Sequence, residues 1–341
     1  MKHLITGGAG FIGSNYLYYM LEKYPEDEFV CVDCLTYAGN YDNIKPLEKY
    51  NNYKFIKADI RDREKMLEIF TKENFDYVVN FAAESHVDNS IKNPNLFVET
   101  NILGTMNLLN CVKTINEKGL HPVKRYHQIS TDEVYGDLPL DKPELKFTEK
   151  NNIKTSSPYS ASKAGADLQV LAYARTFKIP VTISRCSNNY GPYQFPEKLI
   201  PVVISKALKD EKIPVYGKGL NVRDWIHVKD HNIGVDLIIR KGKEGEIYNL
   251  GGHAERTNLE VVKIILKQLG KSEDSIEYVK DRPGHDLRYA IDSAKIEKEL
   301  GWKPTIPFEE GIKDTITWYV ENQDWIERIK NKEYLNSYTE N

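Results

Sequence analysis

Apolar and polar positions in the first half of the chain follow two alternating periods. Short runs rich in β-branched and aromatic residues, "KHLITG", "FVCVDC", "YKFIKAD" and "DYVVNFAA", are separated by stretches with apolar residues at helical spacing, from Phe11 to Lys23 and near Arg63 to Glu73. Strands alternating with amphipathic helices predict βαβ units, and so an α/β fold with a doubly wound parallel sheet. Two later stretches, Phe97 to Ile115 and Ala161 to Phe177, keep helical spacing with few charges and predict long helices packed on that sheet. "PVTISRCSNNYGP" predicts a strand running into a loop, after which Pro192, Pro196, Pro201 and Pro214 break the pattern. A smaller α/β lobe is expected there, with a strand near Glu246 to Gly252 and helices over "NLEVVKIILKQLG" and "FEEGIKDTITWYVEN". The expected division is residues 1–186 and 224–250 for the first lobe, and 187–223 and 251–341 for the second. The last dozen residues, rich in Lys, Asn and Glu, predict a polar surface tail.

Composition narrows the functional classes. With 341 residues, 28% of them charged and a net charge of −3, the chain carries no electrostatic bias toward nucleic acid or a membrane surface. No run approaches 18 apolar residues, and no signal-peptide pattern opens the sequence, so a cytoplasmic protein is expected. Four cysteines are too few for a disulfide framework. The histidines are scattered without ligand spacing, so no metal site is expected.

The chemistry begins in "TGGAGFIG", which sets Gly7, Gly10, Phe11, Ile12 and Gly13 between the first strand and the first helix. Glycines there permit a tight turn and let backbone approach a pyrophosphate, whose charge rests on the helix N-terminus. Asp33, twenty residues beyond Gly13, ends the second strand. It is placed to accept hydrogen bonds from an adenosine ribose and to repel a 2′-phosphate, which favours NAD over NADP in a Rossmann-type lobe. Asp59 and Ile60, ending the third strand, are placed to touch the adenine, although an acid there also suits a helix cap. Ala82 and Ala83, ending the fourth, are small enough for close cofactor approach or for simple packing under a helix.

"YSASK" puts Tyr159 and Lys163 four residues apart, on one side of a helix. A phenol titrates near pH ~10 and an ammonium nearby favours its phenolate, giving a base that could take a proton from an alcohol. Such pairs also arise by chance. "STDEVYGD" adds a hydroxyl and two adjacent carboxyls at a strand's end, Thr131, Asp132 and Glu133. The bland alternative for these three is a loop and helix cap.

Taken together, "GGAGFIG", "AAESHVD", "STDEVYGD", "YSASK" and "NNYGPYQFPEKLIP" resemble the extended short-chain dehydrogenase/reductase family, over nearly the whole chain. Within it, the paired acids resemble those of sugar-nucleotide 4,6-dehydratases acting on dTDP-glucose. The resemblance implies oxidation at C4 by NAD, removal of the C5 proton by Glu133, protonation of the departing C6 hydroxyl by Asp132, and return of hydride to C6. Thr131 would orient the C4 oxygen toward Tyr159. Ser85, Asn188, Glu197, Lys198, Leu199, Tyr216, Arg223, Asn258, Arg282 and His285 would hold the nucleotide sugar, and Thr100 the cofactor. For Arg223 a surface ion pair with Asp224 is the alternative. The resemblance also implies a homodimer through a four-helix bundle of the two long helices, against burial within one subunit. Competing readings are a 4-epimerase, a decarboxylase, a CDP- or GDP-sugar dehydratase, or an NAD-binding regulator without catalysis.

Overall fold

The structure, a computed structural model, describes residues 1–281 and 286–339. Its strands are β1 (Lys2–Thr6), β2 (Glu28–Asp33), β3 (Tyr53–Lys57), β4 (Tyr77–Asn80), β5 (Arg125–Thr131) and β6 (Val181–Cys186), followed by β7 (Asn188–Tyr190), β8 (Ile213–Tyr216), β9 (Val222–His227), β10 (Ile247–Leu250), β11 (Glu255–Thr257) and β12 (Ile276–Val279). Seven form one parallel sheet in the order β3-β2-β1-β4-β5-β6-β10. Strands buried on both faces explain why the apolar runs are nearly continuous, as in β6, every residue of which is buried.

Helices cover both faces. Leu17 and Met20 of the helix Phe11–Lys23 pack with Val235 and Ile238 of the helix Val228–Lys241 on one side. On the other, Met66, Leu108, Val112 and Val170 come from three helices. The chain leaves β1 toward β2 on one hand and pairs with β4 on the other, so the carboxyl ends of β1 and β4 open a crevice where the winding reverses. A second core of Tyr190, Ile200, Trp225, Val261, Ile265, Phe308 and Ile312 lies beyond the sheet. It is framed by the small sheets β11-β9-β7 and β12-β8.

Two expectations and one alternative reading need revision. The stretch expected as one helix from Phe97 to Ile115 is instead a π-helix over Val98–Gly104 continued by an α-helix over Thr105–Glu117. The wider turn lets the Asn101 side chain grip the backbone of Glu84 from both directions, at 2.8 and 3.0 Å, while bonding Ser162 at 2.8 Å. It also brings Gly104 so near Ile60 that a Cβ would lie 2.6 Å from that side chain. π-Turns concentrate at functional sites, and Thr100 of this one faces the crevice.

The second revision concerns the polar tail. Tyr334 is buried, donates from its hydroxyl to the Tyr37 carbonyl at 2.7 Å, and stands edge-on to Phe195. Tyr338 packs edge-on against Tyr41 and Phe55. Aromatic burial outweighs the polar composition of this segment.

Third, Asp59 does not cap the helix Arg63–Glu73. Asp62 does, accepting from the Lys65 N–H.

Candidate active site

At the carboxyl edge of the sheet lies a cleft enclosing about 1650 Å³ of atom-free space, its mouth open to solvent. The cleft runs without a break from the glycine turn at Gly7 to Glu197 and Lys198, so a single depression joins the two ends of the site. One end is made of backbone. Gly7 has φ +69°, and a Cβ on it would fall 2.5 Å from the Ala82 nitrogen; on Gly13 it would fall 2.4 Å from the Gly7 carbonyl oxygen. Gly10 is the N-cap of the helix Phe11–Lys23 and supplies no side-chain cap, which leaves the first N–H groups of a 13-residue helix directed at the cleft. Asp33 accepts from the Ala9 and Leu35 N–H groups at 3.0 and 2.8 Å, which fixes the carboxylate at the cleft wall although burial pushes its pKa up. Asp59 and Ile60 line the same end, with Asp59 held by the Arg61 guanidinium at 2.6 Å and its pKa lowered. Ala82, Ala83 and Thr100 complete this wall. These groups fit a pyrophosphate and an adenosine ribose.

The other end is made of side chains. β5 runs out into a 3-10 turn, Asp132–Tyr135, capped by the Thr131 hydroxyl, which accepts from the Glu133 N–H at 3.3 Å. Thr131 is thus both a cap and a cleft-lining hydroxyl, and the bland and functional readings are compatible. Asp132 is 2% exposed, with one carboxyl oxygen buried without a partner. Burial, then the Glu133 carboxylate and Asp224, push its pKa well above the ordinary carboxyl range. Such placement favours the protonated form of this carboxyl over its ordinary ionised one.

Opposite this turn stands the helix Pro158–Phe177. Ser157 and Ser160 form a reciprocal capping box and Pro158 occupies the first turn, so the helix begins just before Tyr159. Tyr159 is buried. Burial, then Glu133 and Cys186, push its phenol well above pH ~10, and the Thr131 hydroxyl acts the other way. That is opposite to the lowering expected from Lys163. The Lys163 ammonium donates to the Ile129 carbonyl at 2.7 Å, and burial lowers its pKa.

Ser85, Asn188, Glu197 and Lys198 line the cleft beyond this pair. Lys198 reaches the Ser85 carbonyl at 3.3 Å, and Glu197 accepts from the Tyr37 hydroxyl at 3.4 Å. Leu199, Tyr216, Arg223 and Asn258 are not among the lining residues. Leu199 packs on the second core, Tyr216 is exposed at the end of β8, and Asn258 begins a helix, bonded through its N–H to the Asn221 carbonyl. Arg223 is buried, lies over the Tyr289 ring and donates to the carbonyls of Val222 and Asp286. The surface ion pair with Asp224 is therefore excluded: Asp224 is itself buried and takes the N–H groups of Gly252 and Ala254. Arg223 still acts on Asp132, whose pKa it pulls down. Arg282 and His285 lie outside the described residues. Sequence reasoning missed Arg61, Glu84 and Cys186 in the lining. "ADIRD" held a signal for Arg61, a cation two residues after an acid at a strand end, and "NFAAES" placed Glu84 just past the fourth strand; Cys186 gave none.

Comparison with known proteins agrees with this geometry. The GDP-mannose 4,6 dehydratase family model matches residues 4–315, and the chain belongs to that family, within the extended short-chain dehydrogenases/reductases. It is 47% identical to dTDP-glucose 4,6-dehydratase of Salmonella typhimurium, over 98% of this chain and 97% of that one. Among solved structures, dTDP-glucose 4,6-dehydratase DesIV of Streptomyces venezuelae with NAD bound superposes with a TM-score of 0.91 at 45% identity, covering 96% of this chain and 100% of that one. UDP-glucose 4-epimerase of Thermotoga maritima superposes at 0.86 with 28% identity, covering 95% and 100%.

Proposed function

We propose that the chain is an NAD-dependent hydro-lyase that converts dTDP-glucose to dTDP-4-keto-6-deoxyglucose and water. One observation carries this reading beyond the family: two adjacent carboxyls line the reactive end, and Asp132 is buried there with one oxygen unpartnered, where burial and Glu133 favour its protonated form. A 4-epimerase needs a single base, whereas elimination of water needs an acid and a base together.

When bound, the nicotinamide supplies a hydride acceptor at C4 and a donor at C6. The protein does the rest. Tyr159 takes the proton of the C4 hydroxyl, which Thr131 orients. The C4 ketone acidifies the C5 hydrogen, Glu133 removes it, and Asp132 gives its proton to the leaving C6 hydroxyl. The glycine turn and the bare helix end hold the pyrophosphate, and Asp33 the ribose. Ser85, Asn188, Glu197 and Lys198 serve the sugar nucleotide, with Leu199, Tyr216, Arg223 and Asn258 as an outer set shaping the lobe.

Residues 1–186 and 224–250 act as the cofactor lobe, and 187–223 and 251–341 as the substrate lobe. Val98, Leu103 and Leu168 are exposed on the two long helical segments, which supports a homodimer joined there by four helices. Among the described residues no helix is long and apolar enough to cross a membrane, which accords with work in the cytoplasm.

The test is mass spectrometry after incubation with dTDP-glucose. The expected product has lost one water and, in deuterated solvent, carries one deuterium from C5 reprotonation. Recovery of dTDP-galactose without loss of water would replace the dehydratase by an epimerase.

A further inference from the structure

Lys163 faces a difficulty. A neutral amine favours neither a phenolate nor a nearby anion, yet this one is 5% exposed and burial pulls its pKa down. Among the described residues its one hydrogen bond is to the Ile129 carbonyl, although an ammonium has three donors.

Of the titratable groups on elements packed about it, Tyr159 shares its helix, Asp132 and Glu133 stand in the turn after β5, and Arg185 and Cys186 end β6. Asp88, Lys92 and Glu99 belong to the helical segments alongside. Only Asp167 and Cys186 act on Lys163 appreciably, and both favour its charged form. The Cys186 thiol is itself pushed up to about 12, so it is neutral at working pH. Asp167 is the remaining partner: burial pushes its pKa up, and Arg185, Lys163 and Ser130 pull it back, so its charge rests on the ion pair with Arg185 at 2.9 Å.

Asp167 lies one turn beyond Lys163 on the same face and is wholly buried. One carboxylate oxygen accepts from Arg185 Nε at 2.9 Å and from Ser130 Oγ at 3.0 Å. Its other oxygen is buried with no partner. The guanidinium is in turn seated over the Tyr135 ring, in the turn that carries Asp132 and Glu133, and the Tyr135 hydroxyl bonds Asn249 of β10 at 2.8 Å. A buried ion pair contributes little net stability, so its presence directly behind the reactive pair calls for a different reason.

We infer that Asp167 is a positioning residue for the reaction: its buried carboxylate, fixed by Arg185 and Ser130, keeps Lys163 in the ammonium form beside Tyr159. The activity readout rests on the dehydratase reading above, so a second readout independent of turnover is included.

The experiment compares the wild-type protein with Asp167→Asn, with the double variant Asp167→Asn/Arg185→Met, and with Ser130→Ala. The double variant removes both charges and guards against misfolding around an unpaired Arg185. Two quantities are followed against pH: kcat on dTDP-glucose, and acetylation of Lys163 by acetic anhydride, read by peptide mass spectrometry.

Removing the carboxylate lowers the lysine pKa, so the ammonium is lost at lower pH. The alkaline limb of kcat and the labelling midpoint should both move down by about one pH unit in the Asp167 variants, the low end for a charge at this range, with the acid limb in place. Ser130→Ala keeps the charge but loosens its hold, and should move both by clearly less than the Asp167 variants do. A merely structural role would lower kcat evenly across pH. If either quantity stays put in a folded Asp167 variant, or Ser130→Ala shifts them equally, the inference is overturned. If the wild-type protein turns over no nucleotide sugar, the dehydratase reading falls and the labelling midpoint alone decides.

Discussion

The two ends of the cleft are built by different physics. At the nucleotide end most of the important atoms are backbone, three glycines and a helix N-terminus without a side-chain cap, joined by the one Asp33 carboxylate that two N–H groups hold. Its selectivity is mainly steric and dipolar. At the reactive end every important atom belongs to a side chain, and Asp132, Tyr159 and Lys163 are all buried with pKa values displaced toward the neutral form. There, selectivity is a matter of which group holds a proton. One lobe edge thus offers a rigid cradle and an electrostatically tuned reaction centre side by side, and damage to each should look different.

The largest separation is expected from Glu133→Gln and Tyr159→Phe. Each should cost about 10²–10⁴-fold in kcat while leaving NAD affinity within a few-fold, as measured by turnover and by calorimetry. Near-normal turnover by either variant would remove that residue from its role. Next in free energy comes acid sensitivity, which should belong to the buried core, in β5 and the helix Val228–Lys241, rather than to the cleft. His127 and His231 are buried with pKa values pulled down to about 3. They stay neutral in the native state, whereas unfolding lets them take protons below pH ~6.5, so stability is lost as pH falls from there toward 3, on the order of a few kcal/mol for each. Urea unfolding at pH 7 and 4.5 reads this, and His127→Gln should flatten the dependence.

Smaller still is Gly13→Ala. The added Cβ meets the Gly7 carbonyl oxygen, and overpacking of about 1–3 kcal/mol should weaken NAD binding or folding, with the pH profile of kcat unmoved. The smallest effect is expected of Asp33→Asn. Loss of a charge-assisted bond to a ribose hydroxyl should weaken NAD by roughly tenfold and narrow the gap to NADP, measurable by competitive binding.

Where periodicity and turn chemistry act locally, the sequence was a good guide. The helices Phe11–Lys23 and Arg63–Glu73 fall where apolar spacing put them, and Asp33 stands at the end of β2 because strand length and the Gly13 interval agree. What escaped depended on contacts between distant segments. No local pattern marks the π-turn at Val98–Gly104, which follows from Asn101 reaching Glu84 and Ser162. The displacement of the Tyr159 phenol could not be read from its spacing to Lys163, since burial and Glu133 set it. Arg223, expected to hold the nucleotide sugar or else to pair with Asp224 at the surface, is buried against Tyr289 and outside the cleft lining, a consequence of β9 pairing with β7 and β11. The substrate side was least legible, being assembled from loops whose neighbours only the tertiary fold decides.

The docked C-terminal segment sets an order on maturation. Thr36, Ala38 and Gly39 line the ribose side of the cleft, and the stretch beside them is pinned from the far end of the chain, by Tyr334 on the Tyr37 carbonyl, by Arg328 on Asp42 and by Trp325 on Asn43. During synthesis the glycine turn emerges long before these anchors. The dinucleotide cradle therefore acquires its finished outer wall only after Trp325, Arg328 and Tyr334 have been made and have docked.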